Sequence, residues 1–231
     1  GGVGKTTLAS NLASAFEREG HRSALIDLGG ENHLARWKGK SSSLPDIYDL
    51  TNSELLQKLS ELSEKYELVL IDTPPASNQS AREAAQVADL ICFPVRVGGL
   101  DTARVTETLD LIGRHPANEK SKIRLVLTQR RGNANYRGAA ESLTKLNVKV
   151  LKPEVRMRRA YGRALRAQCT VFDLPEAEEA AREVSEIAYD IQHLLDELPD
   201  PSSLRERIDE RLLRKLYFQG VSSGYGSSEV L

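Results

Sequence analysis

The sequence predicts an α/β fold: a mostly parallel sheet flanked by helices on both faces. Two observations carry this. Ser23–Asp27 (SALID), Leu68–Asp72 (LVLID), Leu90–Val95 (LICFPV) and Ile123–Thr128 (IRLVLT) are short and apolar on both faces, as strands covered from both sides must be. Between them lie stretches with apolar residues three and four apart, the spacing of helices that join parallel strands.

In chain order, Gly1–Thr7 reads as loop, and Leu8–Glu19 places Leu8, Leu12, Ala15 and Phe16 on one helical face before Gly20 stops the helix. After the SALID strand, Leu50–Lys65 is a helix with Leu55, Leu59 and Leu62 on one side. Two strands follow, LVLID and LICFPV, and then a helix over Asp101–Arg114 opened by an Asp-Thr cap signal. IRLVLT is the next strand, Ala139–Leu146 a helix and Val148–Leu151 a short last strand. Glu176–Leu195 is a long helix, acidic outside, with Ala180, Val184, Ile187, Ile191 and Leu194 inward. Pro199–Ser203 reads as a linker, and Leu204–Phe218 repeats Leu204, Ile208, Leu212 and Leu216 four apart, the pattern of one more amphipathic helix. Leu216–Gly220 (LYFQG) matches most of a common protease-cleavage tag, so residues 216–231 are read as a flexible tail outside the fold. Trp37 is expected at a loop or interface, and Ser41–Ser43 as a flexible turn.

Composition narrows the function classes. Among 231 residues, 40% are apolar and 28% charged, enough to bury a core and unlike a disordered chain. The longest apolar runs fall far short of the ~20 residues of a membrane span, and no segment resembles a secretory signal. Two cysteines, Cys92 and Cys169, make neither a disulfide framework nor a zinc cluster, and the four histidines share no metal spacing. A cytoplasmic protein is expected. The net charge of −1 hides a local imbalance: Lys149–Arg166 holds seven Lys/Arg against Glu154 alone, whereas Asp173–Asp200 holds ten acids against Arg182 alone.

The chemistry lies at the start. Gly1-Gly2-Val3-Gly4-Lys5-Thr6 is the end of the phosphate-loop pattern G-x-x-x-x-G-K-[ST]. Glycines let successive N–H groups curl around phosphate oxygens, and the helix N-terminus adds its positive dipole end. Lys5 reaches the β/γ-phosphates, and the Thr6 hydroxyl ligates Mg²⁺. Such a loop needs a carboxylate at the end of a neighbouring strand for the metal, and Asp72 closes LVLID in that position. It also needs a strand before it to aim it, so a first strand is expected ahead of Gly1. Residues 1–198 thus read as one P-loop NTPase-like domain, with 199–215 as linker and C-terminal helix.

GGVGKTT with Asn11 in the following helix, then ALIDL and LIDTPP, resembles the ParA/MinD group of deviant Walker-type ATPases. Pro94-Val95, Leu100-Asp101, Val155-Arg156, Tyr161 and Thr170-Val171-Phe172 extend the resemblance to about residue 196. The short length is similar to that of the small plasmid-partition members. The resemblance implies ATP and Mg²⁺ as cofactors, two subunits sandwiching their nucleotides, DNA binding without sequence preference at the nucleoid, and release when a ParB-type or adaptor partner stimulates hydrolysis. Carried over, Gly1, Gly2, Val3, Gly4, Lys5, Thr6 and Thr7 hold phosphates. Thr6 and Asp72 manage the metal, Asp27 is the first acid of the second motif, and Arg156 sits in a loop beside the nucleotide. The group's signature lysine would fall just before Gly1. Where the second motif usually reads Asp-x-Asp-Pro-Gln, this chain has Asp27-Leu28-Gly29-Gly30-Glu31. Gly29 replaces an acid that organises the attacking water, so ATP is expected to bind but to turn over slowly.

Arg158, Arg159, Arg163 and Arg166 are read as the DNA surface, because residues 159, 163 and 166 share one helical face. Phosphate contacts of this kind give affinity without sequence reading. The bland alternative is that some of these arginines pair with the acidic helix over 176–197. Two other functions stay open: a MinD-like membrane-associated regulator anchored by Leu204–Phe218, whose mixed charges make a mediocre lipid-binding face, and a scaffold locked by nucleotide. A bacterial tyrosine-kinase domain also carries an LIDTPP-like strand, but the tail holds only Tyr217 and Tyr225 rather than a cluster.

Overall fold

The computed structural model describes residues 4–28, 34–37, 39–74, 79–96, 102–113, 123–129, 138, 141–143 and 145–197. Gly1, Gly2, Val3, Gly29–Glu31, Asp101 and everything after residue 197, including the linker and Leu204–Phe218, lie outside these residues.

Two three-stranded parallel sheets form the centre. The first has the order β2-β1-β3, from Asp46–Asp49, Ser23–Asp27 and Leu68–Asp72. The second has the order β4-β5-β6, from Ile91–Arg96, Ile123–Thr128 and Lys149–Val150. The middle strands β1 and β5 are buried along their whole length, whereas the outer strands are partly exposed. A middle strand has neighbours on both sides and helices above and below, which is why SALID and IRLVLT tolerate no alternation of polar residues.

Helix α1 spans Lys5–Arg18 and lies against β1, β3 and β4. Its predicted face, Leu8, Leu12, Ala15 and Phe16, is buried in the largest core cluster. Gly20 ends it in a left-handed conformation at φ 93°, and the His21 N–H donates back to the Phe16 carbonyl at 3.0 Å. Helix α2 is Leu55–Lys65, with Leu55, Leu59 and Leu62 buried as expected. It starts five residues later than the apolar spacing suggests. The Thr51 N–H and hydroxyl both donate to the Glu54 carboxylate, at 2.8 and 2.6 Å, and hold a turn there instead. Helix α3 is Gln79–Val87 and α4 is Thr102–Gly113.

Residues 141–143 are helical, within the span predicted for a helix at Ala139–Leu146, and residue 138 just before it is helical as well. Helix α5 is Arg159–Ala167 and α6 is Glu178–Asp196. The predicted inner face of α6 is correct, since Ala180, Val184, Ile187 and Ile191 pack on α1. One acid breaks the "acidic outside" expectation: Glu183 is buried and faces Arg158. Trp37 sits in the stretch between β1 and β2, where it packs inward. It is buried with Ala13, Leu25 and Leu34, and its N–H donates to the Leu34 carbonyl at 2.9 Å.

The serine turn is likewise held. The Asp173 carboxylate accepts from the Ser41 hydroxyl at 2.7 Å, the Ser42 N–H and hydroxyl at 3.0 Å each, and the Ser43 hydroxyl at 3.0 Å. It also accepts from the Thr170 N–H at 2.9 Å. Burial works against ionisation of this carboxyl, but the donors from Ser41, Thr170, Ser43 and Ser42 outweigh it and hold it at about 2. No described helix is long and apolar enough to cross a membrane.

Candidate functional site

The site begins at Gly4, which precedes α1 in the left-handed region at φ 94°. That conformation is cheap only for glycine, and it turns the chain so that the first helical N–H groups point outward from the helix end. Lys5, Thr6 and Thr7 form the first turn of α1, where the dipole is positive. The next residues fasten this turn from below: the Ser10 hydroxyl donates to the Thr6 carbonyl at 2.8 Å and the Asn11 amide to the Thr7 carbonyl at 2.7 Å. Asn11 is buried, and its Oδ1 accepts the Val171 N–H at 2.9 Å.

Two strand ends meet this helix end. Asp27 closes β1 and Asp72 closes β3, and the register pairs them directly. Both are buried. The Leu28 N–H donates to the Asp72 carbonyl at 3.0 Å, and Asp27 Oδ2 accepts the Leu34 N–H at 3.1 Å, so Asp27 also orients the segment after β1. Burial pushes the Asp72 carboxyl up to about 6, and neighbouring Asp27 adds to the rise. The Thr6 hydroxyl, Lys5 and the Thr73 N–H pull the other way. Lys5, Thr6 and Asp27 thus all lie close enough to act on the Asp72 carboxyl.

Asp72 Oδ1 is buried and has no hydrogen-bond partner among the described residues. A buried acceptor without a donor is rare and costly. Together with the Thr6 hydroxyl and a second carboxylate alongside, it makes a hard-oxygen donor set suited to Mg²⁺, which takes one or two protein ligands and completes its shell with water and phosphate. The residues present therefore fit the ion. A larger metal cluster is absent among the described residues. The thiols offer no alternative chemistry, since burial pushes Cys92 up to about 12 and also raises Cys169.

The comparison with known families agrees with this geometry. Residues 1–170 match the family described as the CobQ/CobB/MinD/ParA nucleotide binding domain. The chain belongs to that family. Among curated proteins, the chain is 38% identical over 112 residues to a maintenance of carboxysome distribution protein A from Gloeobacter kilaueensis, an overlap of 47% of this chain and 51% of that protein. The chain thus spans about half the length of this curated relative. Solved structures at lower identity share the fold. A ParA family ATPase from Chlorobium tepidum superposes with a TM-score of 0.65 at 14% identity, covering 82% of this chain and 95% of the other. A cobyrinic acid a,c-diamide synthase from Mycobacterium smegmatis, solved with a bound ATP analogue and magnesium, gives 0.62 at 15% identity, covering 85% and 92%.

In this MinD/ParA-type chain the arginines divide into three groups. Arg156 lies between Glu154 at 3.6 Å and Glu183 at 4.0 Å, and its N–H donates to Glu183 at 3.2 Å. Arg158 is half-buried, donates to Glu183 at 2.7–2.8 Å and pairs with Glu179; Glu183 holds its guanidinium firmly protonated. The alternative of pairing with the acidic stretch over 176–197 therefore holds for Arg156, Arg158 and Arg163. Arg159, Arg163 and Arg166 are exposed on α5. Arg163 pairs with Glu176, whereas Arg159 and Arg166 have no carboxylate partner among the described residues. Sequence reasoning missed Glu183 as the hub of this segment. Its only signal is an acid at an inward position of α6, three residues after Ala180 and one before Val184.

Proposed function

We propose that this chain is a ParA-type positioning ATPase. It binds ATP and Mg²⁺, dimerises on ATP, holds DNA without sequence preference, and lets go when an adaptor or ParB-type partner stimulates hydrolysis. The observation that carries the reading is the meeting of Lys5 and Thr6, at the start of α1, with the register-paired acids Asp27 and Asp72 and the unpartnered Asp72 Oδ1. The bound ATP analogue and magnesium of the cobyrinic acid synthase, and the carboxysome-distribution name of the Gloeobacter relative, support it.

Each residue has a part. Gly1, Gly2, Val3 and Gly4 supply N–H groups to the phosphates, Thr7 caps them from the helix turn, and Lys5 meets the β/γ-phosphate charge as a point cation. Thr6 and Asp72 hold the metal, Thr6 through its hydroxyl and Asp72 through the oxygen that lacks a donor. Bound there, Mg²⁺ would supply charge neutralisation to the phosphates. Asp27 lies beside Asp72 at the strand ends and accepts the Leu34 N–H. Arg156 approaches the nucleotide from the loop after β6. Gly29 leaves the water-positioning acid missing, which lowers turnover by ~100-fold or more against an enzyme that has it. Arg159, Arg163 and Arg166, with Arg158 behind them, face DNA phosphates in the cytoplasm at the nucleoid.

Equilibrium dialysis with ATP tests the site. Magnesium-dependent uptake by the wild type and its loss in Lys5→Ala support the reading; equal uptake by both proteins overturns it. Radiolabelled turnover with and without DNA tests the slow step, and a rate typical of an enzyme with the second acid in place refutes the role given to Gly29.

A further inference from the structure

A groove of about 440 Å³ opens between the N-terminal ends of α5 and α6, lined by Arg158, Arg159 and Arg163 on one side and Glu176 and Glu179 on the other. Arg163 pairs with Glu176, and Arg158 pairs with Glu179 and Glu183. With Glu154 beside Arg156, four carboxylates therefore face the five arginines of residues 156–166. The segment that is basic in sequence is nearly neutral in the fold.

The four carboxylates are not equivalent. Glu183 has a side chain only 9% exposed against an Arg158 that is 22% exposed, and Tyr161 also donates to it at 3.3 Å, so it is fixed. Glu176 and Glu179 are 71% and 68% exposed. Exposed pairs of this kind contribute little stability, and their carboxylates can swing into solvent. A carboxylate on a guanidinium uses the same two-pronged geometry as a phosphate.

We infer that Glu176 and Glu179 form an acidic cover that occupies the phosphate-binding positions of Arg163 and Arg158, so that a DNA backbone must displace them to engage the full arginine face. The inference rests on the DNA reading above and adds its regulation. Arg159 and Arg166, which have no such partner among the described residues, make the first contacts, and the covered pair joins once the glutamates move. The cover holds the affinity for polyanions down without removing it, which suits a protein that must bind and let go repeatedly.

The test uses the full chain with ATP and Mg²⁺, a random-sequence duplex, and anisotropy titrations over a range of salt. Glu176→Gln with Glu179→Gln is expected to bind tighter and to steepen the plot of log affinity against log salt. Each freed cation adds ~0.9 to that slope, which near 0.1 M salt is roughly eightfold per contact. Glu61→Gln with Glu64→Gln, on α2, removes the same charge elsewhere and is expected to change affinity less than about twofold. If the cover variant binds no tighter than this control, the cover is refuted.

Arg159→Glu with Arg166→Glu reports on the surface itself. Lost binding in that variant upholds the DNA reading whether or not the cover exists, and unchanged binding overturns the DNA reading and the cover with it. A gain for anionic phospholipid vesicles but not for duplex also overturns the inference.

Discussion

Asp173 offers the sharpest test of how the fold is held together around the site. Its carboxylate takes five donors from Ser41, Ser42, Ser43 and the Thr170 backbone, and a sixth contact from the Thr170 hydroxyl at 3.1 Å. Replacement by alanine removes all of them, but the donors do not suffer equally. Ser42 is exposed and turns to water. The hydroxyls of Ser43 and Thr170 keep each other at 2.7 Å. The Thr170 N–H, in a residue with no exposed surface, is left buried without a partner. An orphaned buried donor costs ~1–3 kcal/mol and each lost bond to a charged acceptor ~1.5–3 kcal/mol. After allowing for water at the exposed donors, the sum is about 3 kcal/mol, or a fall of roughly 6–12 °C in Tm for a domain of this size.

Asp173→Asn, which keeps one acceptor, is expected to lose about half of that. The pH dependence has a definite sign. The folded carboxyl is held at about 2 against an ordinary 3.8, so its contribution is complete above 3.8 and is lost as pH falls toward 2. Urea melts of wild type and both variants, at about pH 6 and again at about pH 3, measure this. A loss under about 0.5 kcal/mol for the alanine variant, or a wild-type advantage over Asp173→Asn that stays constant on acidification, refutes the clamp.

Three further outcomes are expected. Asp72→Asn raises the Tm of the nucleotide-free protein at pH 8 and not at pH 4. The folded carboxyl, at about 6 rather than 3.8, withdraws stability as pH rises through that window, and the same variant abolishes stabilisation by Mg²⁺ with ATP in thermal melts. Gly4→Ala costs ~1–2 kcal/mol through its left-handed backbone alone, since a Cβ there meets nothing within 4 Å. A much larger loss in denaturant melts would point to a clash instead. Asn11→Ala strands the buried Val171 N–H, lowers stability by ~1–3 kcal/mol, and speeds hydrogen exchange at Val171 above that of the remaining core amides.

Much of the scaffold was legible because it is written in local spacing. The faces of α1 and α6 and the strands β1, β3, β4 and β5 follow from apolar periodicity, and Lys5, Thr6 and Asp72 from a loop pattern with a strand-end acid. What stayed hidden lacks that signature. The DIYD of β2 is an outer strand whose two central residues are half-buried between exposed acids. Helix α3 buries Ala81, Ala84 and Ala85, too small to stand out as an apolar row. The roles of Trp37, Ser41–Ser43 and Arg158 depend on partners far along the chain, at Ala13, Asp173 and Glu183, beyond the reach of any local spacing pattern. The pairing of Asp27 with Asp72 sits between these cases, since each acid ends a readable strand but only the register puts them side by side.

The bond from Val171 to Asn11 joins the helix that opens at the phosphate loop to the turn that immediately follows the arginine-bearing helix. The start of α1 and the far end of α5 are thus tied together through the core rather than standing on separate arms.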